Sequence, residues 1–371
     1  MEHAKITFAK EIGFRKELNR RVKDYFKSEN ISPRDNPSMY LKTAILFGWI
    51  ISAWILIVFG PLSGWMRLLG CIILAFGMAG FVFNIGHDAI HGGYSNNKYV
   101  NGVLGLTYDF LGISSYLWRY RHNVLHHTYT NIPGHDVEID GDGWVRMYPT
   151  QEHQWYHRYQ HIYIWLLYCF VPLYWSYCDV DLILRKGKYH GYSIPRLKPS
   201  EKITLLGFKV IWLAYVIGVP LAVGYTPLQV LLGVLVTFMT YGVIINIVFM
   251  LAHVLDSADF VTAKGEVIEI EDEWAIHQLK TTVDFAPKNK FINWYVGGLN
   301  YQAVHHLFPK VCHIHYPKLA KIVQEVCQEF GVEYKVYGTF REILSSNYRW
   351  LKAMGRSPAR VKLVSVMNSG S

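Results

Sequence analysis

Charged residues are scarce in this chain. Asp, Glu, Lys and Arg make up 18% of its 371 residues, against about 25% in an ordinary soluble domain. Cysteine is scarce too. The five cysteines, Cys71, Cys169, Cys178, Cys312 and Cys327, include no CxxC pair. That pattern excludes a disulfide framework and a thiolate metal site. A cleavable export signal is also missing. The opening MEHAKITFAKEIGFRKELNRRVKDYFKSEN is charged and amphipathic, with no apolar stretch before a small-residue cleavage site. The first apolar segment is therefore expected to act as an uncleaved anchor. There is no internal repeat and no low-complexity tract.

Apolar and aromatic residues are abundant instead. Hydrophobic residues reach 51% and aromatics 15%, with 12 Trp and 26 Tyr. Such an aromatic excess suits a surface at headgroup depth in a bilayer. Four segments, 41–59, 66–83, 204–224 and 228–251, approach or exceed the roughly 20 apolar residues needed to cross one. Gly60-Pro61 and Tyr225-Thr226-Pro227 turn the chain between them, which makes two hairpins with short outer turns. The net charge of +9 then points to an anionic leaflet or a phosphate-bearing substrate, not to nucleic acid.

Lysine and arginine set the expected orientation. They concentrate in the N-terminal segment, in the stretch 85–203 and in the C-terminal tail. By the positive-inside rule both termini and that stretch face the cytoplasm. A fifth apolar stretch, 161–180, carries Pro172 and polar flanks, and is expected to lie in the interface. Spanning there would split the histidines described below between two sides. Segment 101–116 is expected to be shallowly buried. Segments 9–27 and 316–331 have the periodicity of amphipathic helices, and the ending VSVMNSGS reads as a frayed tail. The expected architecture is an all-α integral membrane protein. Four transmembrane helices form two hairpins, and a cytoplasmic helical cap holds a dinuclear metal site. The expected boundaries are 1–39 for an amphipathic N-terminal segment, 40–340 for the membrane domain and 341–371 for a cytoplasmic tail.

Eight histidines carry the chemistry. His87 and His91 stand in HDAIH, and His122, His126 and His127 in HNVLHH. His253 ends an apolar run in MLAHVLD, and His305 and His306 stand in QAVHHLFP. Imidazole is the commonest metal ligand near neutral pH. His87 and His91 are four apart and share a helix face, as do His122 and His126. His127 should be rotated about 100° from His126. Adjacent His305 and His306 cannot share a face, which suits division between two ions. Eight imidazoles exceed one tetrahedral site, so two metals are expected. Ligand type alone leaves zinc, iron, copper and nickel open, although redox work on a lipid favours iron. Asp88, Asp136 and Asp140 are candidates to accept the second N–H of a bound imidazole.

These motifs, with HHTYTNIPGHD, HQLKTTVDFAP and GGLNYQAVHHLFP around them, resemble the membrane fatty acid desaturases over roughly residues 40 to 340. The three histidine boxes of that family hold a dinuclear iron centre, so the resemblance implies all eight histidines as iron ligands, with Fe2+/Fe3+ and O2. Gln302 replaces the first histidine of the third box, as in front-end desaturases of the Δ6 or Δ5 type. It is expected to hold a water or leave a coordination position open. Val304 departs from the acidic residue often found there. No HPGG haem motif is present, so an external donor, ferredoxin or cytochrome b5, is implied. The implied substrate is a long-chain acyl group on coenzyme A, carrier protein or glycerolipid. Two alternatives are an acyl hydroxylase or acetylenase on the same scaffold, and a zinc-dependent membrane hydrolase or receptor.

Overall fold

The computed structural model describes residues 4–181, 187–262 and 266–356. The ending VSVMNSGS lies outside the described residues. The fold is mostly helical, and the described residues divide into two compact units.

One unit comprises residues 35–120 and 165–247. Helix α2 (Pro37–Phe59) starts where Asn36 accepts the Ser38 N–H at 2.9 Å, with proline in the first turn. It stops at Gly60. Helix α3 runs from Gly64 to His91 without a break. Within it Val82–Gly86 forms a π-helical turn, in which the His87 N–H reaches back five residues to the Val82 carbonyl. The sequence placed the end of this span at 83. The π turn carries the helix eight residues further, so His87 and His91 belong to its last turns. Helix α4 (Lys98–Gly105) follows. Beyond it, α6 (Pro199–Ala222) and α7 (Pro227–Leu251) form the second hairpin. Together with α2 and α3 they are long and apolar enough to cross a membrane. Four spans were expected, and the described residues contain four.

Helices α2 and α3 pack closely. The Trp49 indole N–H donates to the Ile73 carbonyl at 3.0 Å, and Phe47 meets Phe81 edge-on. Between these helices and the second hairpin, α5 (Gln160–Asp181) carries Pro172 in its interior. Helix α7 approaches α5 so closely that a Cβ on Gly242 would lie 2.2 Å from the Tyr168 carbonyl oxygen. Only glycine fits there. A two-residue hairpin, β2 (Lys188–Tyr189) with β3 (Tyr192–Ser193), closes this unit.

The other unit comprises, among the described residues, 4–34, 121–164 and 248–356. Helix α1 (Phe14–Ser28) buries Phe14, Leu18 and Val22 along one stripe. That stripe packs on Leu319, Val323 and Val326 of α10 (Tyr316–Phe330). The same core receives Ala275 and Leu279 of α8 (Trp274–Thr281) and Ala303 and Val304 of α9 (Gln302–Leu307). Val304 is apolar because it faces this core. The Glu273 carboxylate holds the start of α1, accepting the Ile12 and Arg15 N–H groups at 2.7 and 2.9 Å. Two short parallel pairs tie distant segments together: β1 (Lys5–Phe8) with β4 (Val267–Ile270), and β5 (Asp284–Phe285) with β6 (Val336–Tyr337). Helix α11 (Phe340–Met354) occupies much of the segment assigned to a tail. It opens with a Thr339–Glu342 capping box and buries Trp350, Leu351 and Met354.

Candidate metal centre

Three short segments of the second unit deliver six imidazoles. The π-helical turn Tyr120–His126, continued by one helical turn to Tyr129, carries His122, His126 and His127. The turn that ends α7 carries His253, whose N–H bonds the Met250 carbonyl. Helix α9 carries His305 and His306. All six are buried. His126, His253 and His306 each place a ring nitrogen within 4.8 Å of the others, and so do His127, His305 and His306.

His127 was expected to reach either a different metal or a different side of the same one, and its Nε2 lies 3.2 Å from that of His122. The cause is the π turn. Its bonds span five residues, so residues five apart come to the same side. Two nitrogens bound at about 2.1 Å to one ion at a right angle would stand about 3 Å apart, so this spacing fits a shared ion. The His305 and His306 rings are perpendicular, at 89°, which agrees with their addressing different directions. His306 nonetheless belongs to both nitrogen clusters.

The opposite edges of the rings are held. His126 donates its Nδ1 proton to Asp136, 3.0 Å from each carboxylate oxygen. Asp136 is fixed in turn by the Asn131 and Glu138 N–H groups. His306 donates Nδ1–H to the Gln278 amide oxygen at 2.8 Å. The Thr130 hydroxyl lies 2.8 Å from that oxygen and 2.8 Å from the His126 carbonyl. The His305 Nδ1 lies 3.3 Å from the Tyr316 hydroxyl. An acceptor on Nδ1 fixes the tautomer and turns the Nε2 lone pair inward, which is the donor set a metal requires. Burial opposes a charge on His126, but Asp136 outweighs it and raises the pKa. His253 and His306 are pushed well below the usual range, first by burial and then by neighbouring imidazoles. Both shifts favour the neutral imidazole that a metal ligand requires.

Gln302 lies on the same side of α9 as His306. Its amide nitrogen is 2.9 Å from His253 Nε2 and 3.3 Å from His306 Nε2. His277 is carried by α8. It is buried, its Nε2 bonds the Thr130 carbonyl at 2.8 Å, and burial lowers its pKa to about 4. Lys280 is bound to Asp272 at 2.7 Å.

In the first unit, His87 and His91 stand on the last turns of α3 with ring centroids 4.8 Å apart. Trp118 lies edge-on to both, at 5.6 and 6.1 Å. The Asp88 carboxylate is 3.9 Å from His87 Nδ1, beyond hydrogen-bond reach. Asp136 therefore bonds a ring nitrogen of His126, whereas Asp88 stands out of reach of His87. Gln278, Thr130 and Tyr316 were not singled out from sequence. A neutral amide or hydroxyl distant in sequence from the ring it holds leaves no spacing pattern. The strings HQLKTTVDFAP and HHTYTNIPGHD contain Gln278 and Thr130 without marking either.

Comparison with known proteins agrees. The family model "Fatty acid desaturase" matches residues 63–338. The chain is 58% identical over 355 residues to an sn-1 linoleoyl-lipid 6-desaturase of Arthrospira platensis, covering 96% of each chain. It is 58% identical to the enzyme of that name from Synechocystis sp., covering 95% of this chain and 98% of the relative. An acyl-lipid (8-3)-desaturase of Physcomitrium patens is 34% identical, over 93% of this chain and 72% of the relative. These matches set aside the zinc hydrolase and receptor alternatives. The chain belongs to the fatty acid desaturase family and is an oxidoreductase that introduces a double bond into an acyl chain.

Proposed function

We propose that this enzyme desaturates a linoleoyl chain esterified in a membrane lipid, at the Δ6 position. Its relatives at 58% identity over nearly the full chain carry that activity in their names, and this similarity carries the reading. The acyl carrier is then a glycerolipid in place of coenzyme A or carrier protein. The reductant is an external ferredoxin or cytochrome b5. Both termini and the histidines face the cytoplasm, and α5 lies along the interface.

We further propose that His87, His91, His122, His126, His127, His253, His305 and His306 hold two iron ions. The convergent nitrogens of six of them support this, as do the acceptors on the far edges of three rings. His87 and His91 enter through HDAIH and their shared helix face. When bound, iron supplies the reductive activation of O2 that removes two hydrogens from an unactivated methylene pair. The chain's own residues do the rest. Asp136, Gln278 and Tyr316 orient the rings, and burial excludes water and keeps His253 and His306 neutral. Gln302 offers an amide beside His253 and His306 that can position a water.

The test is expression in a host that lacks polyunsaturated lipids, fed linoleate, with products located by mass spectrometry. A new cis bond at Δ6 on lipid-esterified chains is expected. A hydroxylated product without a new bond, or a bond elsewhere, would overturn the reading.

A further inference from the structure

The transmembrane unit contains a second feature, at the end of the spans away from His87. A cavity of about 1360 Å³ lies among α2, α3, α6 and α7, walled by apolar side chains such as Ile50, Trp54, Leu74, Met78, Leu111 and Phe238. It exceeds the roughly 300–1,000 Å³ of ordinary small-molecule sites. Among the described residues, one cation lines it. Arg67 stands on the first turns of α3, 20 residues before His87 on the same continuous helix. At 1.5 Å per residue that is about 30 Å along the axis.

Arg67 is built into this end. Its guanidinium donates to the carbonyls of Ile57 and Gly60 and lies 5.1 Å over the Tyr225 ring. Tyr225 is anchored by its hydroxyl to the Val58 carbonyl at 3.0 Å. The bonds to Ile57 and Gly60 use two of the five guanidinium N–H donors. Both acceptors are neutral. Residues 43–87 and 202–255, which contain both short turns and the cavity-lining parts of all four spans, include no Asp or Glu. The protein therefore supplies no carboxylate from these segments to balance the charge. Trp65, 83% exposed, and Tyr225 mark this end as headgroup depth. A fixed, half-buried cation at headgroup depth above an apolar cavity matches the two parts of an anionic lipid.

We propose that this cavity binds an anionic membrane lipid, with its phosphate or sulfonate on Arg67 and an acyl tail among the spans. The bound lipid is a resident of the hairpins, not the chain being desaturated, and the inference stands apart from the proposed Δ6 activity.

The experiment compares wild type, Arg67→Gln and Gly233→Leu, purified in neutral detergent. Thermal melting is followed while phosphatidylglycerol, phosphatidylcholine or inorganic phosphate is added. Gly233 lines the cavity, and a Cβ there meets only the Cys71 sulfur at 3.8 Å, so leucine fills the space without disturbing Arg67. Phosphatidylglycerol is expected to raise the wild-type midpoint at concentrations about tenfold below those needed for Arg67→Gln, the value of one charge-assisted contact. Gly233→Leu is expected to lose the response while retaining the untreated midpoint. The increment on lipid addition is compared within each variant, so loss of the Ile57 and Gly60 contacts in Arg67→Gln does not enter. Equal increments with phosphatidylcholine would overturn the proposal. So would an undiminished response in either variant, or a phosphate response equal to that of the lipid.

Discussion

Gln278→Leu tests whether a neutral amide sets the ligand geometry at His306. The substitution removes the oxygen that accepts His306 Nδ1–H at 2.8 Å. Thr130 loses little, because its hydroxyl can turn fully to the His126 carbonyl, also at 2.8 Å. The His306 donor is left with only the Thr130 hydroxyl, at a longer 3.3 Å, so the loss is at most about 1–3 kcal/mol. The same change removes the Gln278 amide nitrogen, which is buried and has no hydrogen-bond partner among the described residues. That relief is of similar size and opposite sign, so the melting midpoint should move little. Tautomer control is different, because the Thr130 hydroxyl at 3.3 Å is a longer and weaker acceptor than the amide oxygen at 2.8 Å. Removing a partner that orients a metal-bound imidazole costs about 10–100-fold in metal affinity or activity. The expected result is a folded protein with near wild-type melting, lowered iron content and at least tenfold less desaturation. Gln278→Glu restores an acceptor and should recover iron content. Iron per chain by plasma mass spectrometry, read beside the melting midpoint, separates the two effects. Full iron and full activity in Gln278→Leu would refute the reasoning, as would a collapse in melting that Gln278→Glu does not repair.

Asp136→Asn keeps the shape but replaces the carboxylate beside His126. Iron content should fall about 10–100-fold in affinity terms, as measured by competition with a chelator. Asp284 is buried and accepts from the Ala303 N–H and the Tyr334 hydroxyl, and burial raises its pKa to about 7. Its protonated form belongs to the fold, so its stabilising contribution is full below about pH 4 and is lost as pH rises through 7, by at most about 4 kcal/mol. The difference in melting between wild type and Asp284→Asn should therefore change across that window, and a difference independent of pH would refute the assignment. Gly86→Ala places a Cβ 2.4 Å from the Thr107 hydroxyl and 2.6 Å from the Tyr108 ring. Overpacking of that kind costs about 1–3 kcal/mol. It should lower both the melting midpoint and iron content, because Gly86 ends the π turn that presents His87.

Much of this molecule is legible in its sequence, for definite physical reasons. A bilayer demands long apolar runs, so the four spans are apparent from composition and length alone. The amphipathic stripe of Phe14, Leu18 and Val22 follows from helical periodicity. So does its partner on α10, where Leu319, Val323 and Val326 share a face. Asp136 was identifiable because a carboxylate near a histidine cluster has few other uses in a buried place. Other features are set by tertiary contacts. The parallel pairing of Lys5–Phe8 with Val267–Ile270 joins segments some 260 residues apart, and no local pattern announces it. Glu273 at the start of α1 is equally remote. Gln278 reads as an ordinary polar residue of α8 until His306 is placed against it.

The phase of the histidines depends on helical geometry that the sequence does not declare. Two of the boxes adjoin π turns, Val82–Gly86 before His87 and Tyr120–His126 through HNVLHH. Such turns are rare and concentrate at functional sites. With four-residue bonds, HNVLHH pairs His122 with His126 and sends His127 elsewhere. With five-residue bonds His127 comes round to His122, at 3.2 Å between Nε2 atoms, while His122 and His126 remain stacked at 5.1 Å between centroids. One turn therefore presents three imidazoles to one side where an α-helical turn would present two. That economy lets His253 and the single-turn helix α9 complete the set in this unit with only three more histidines.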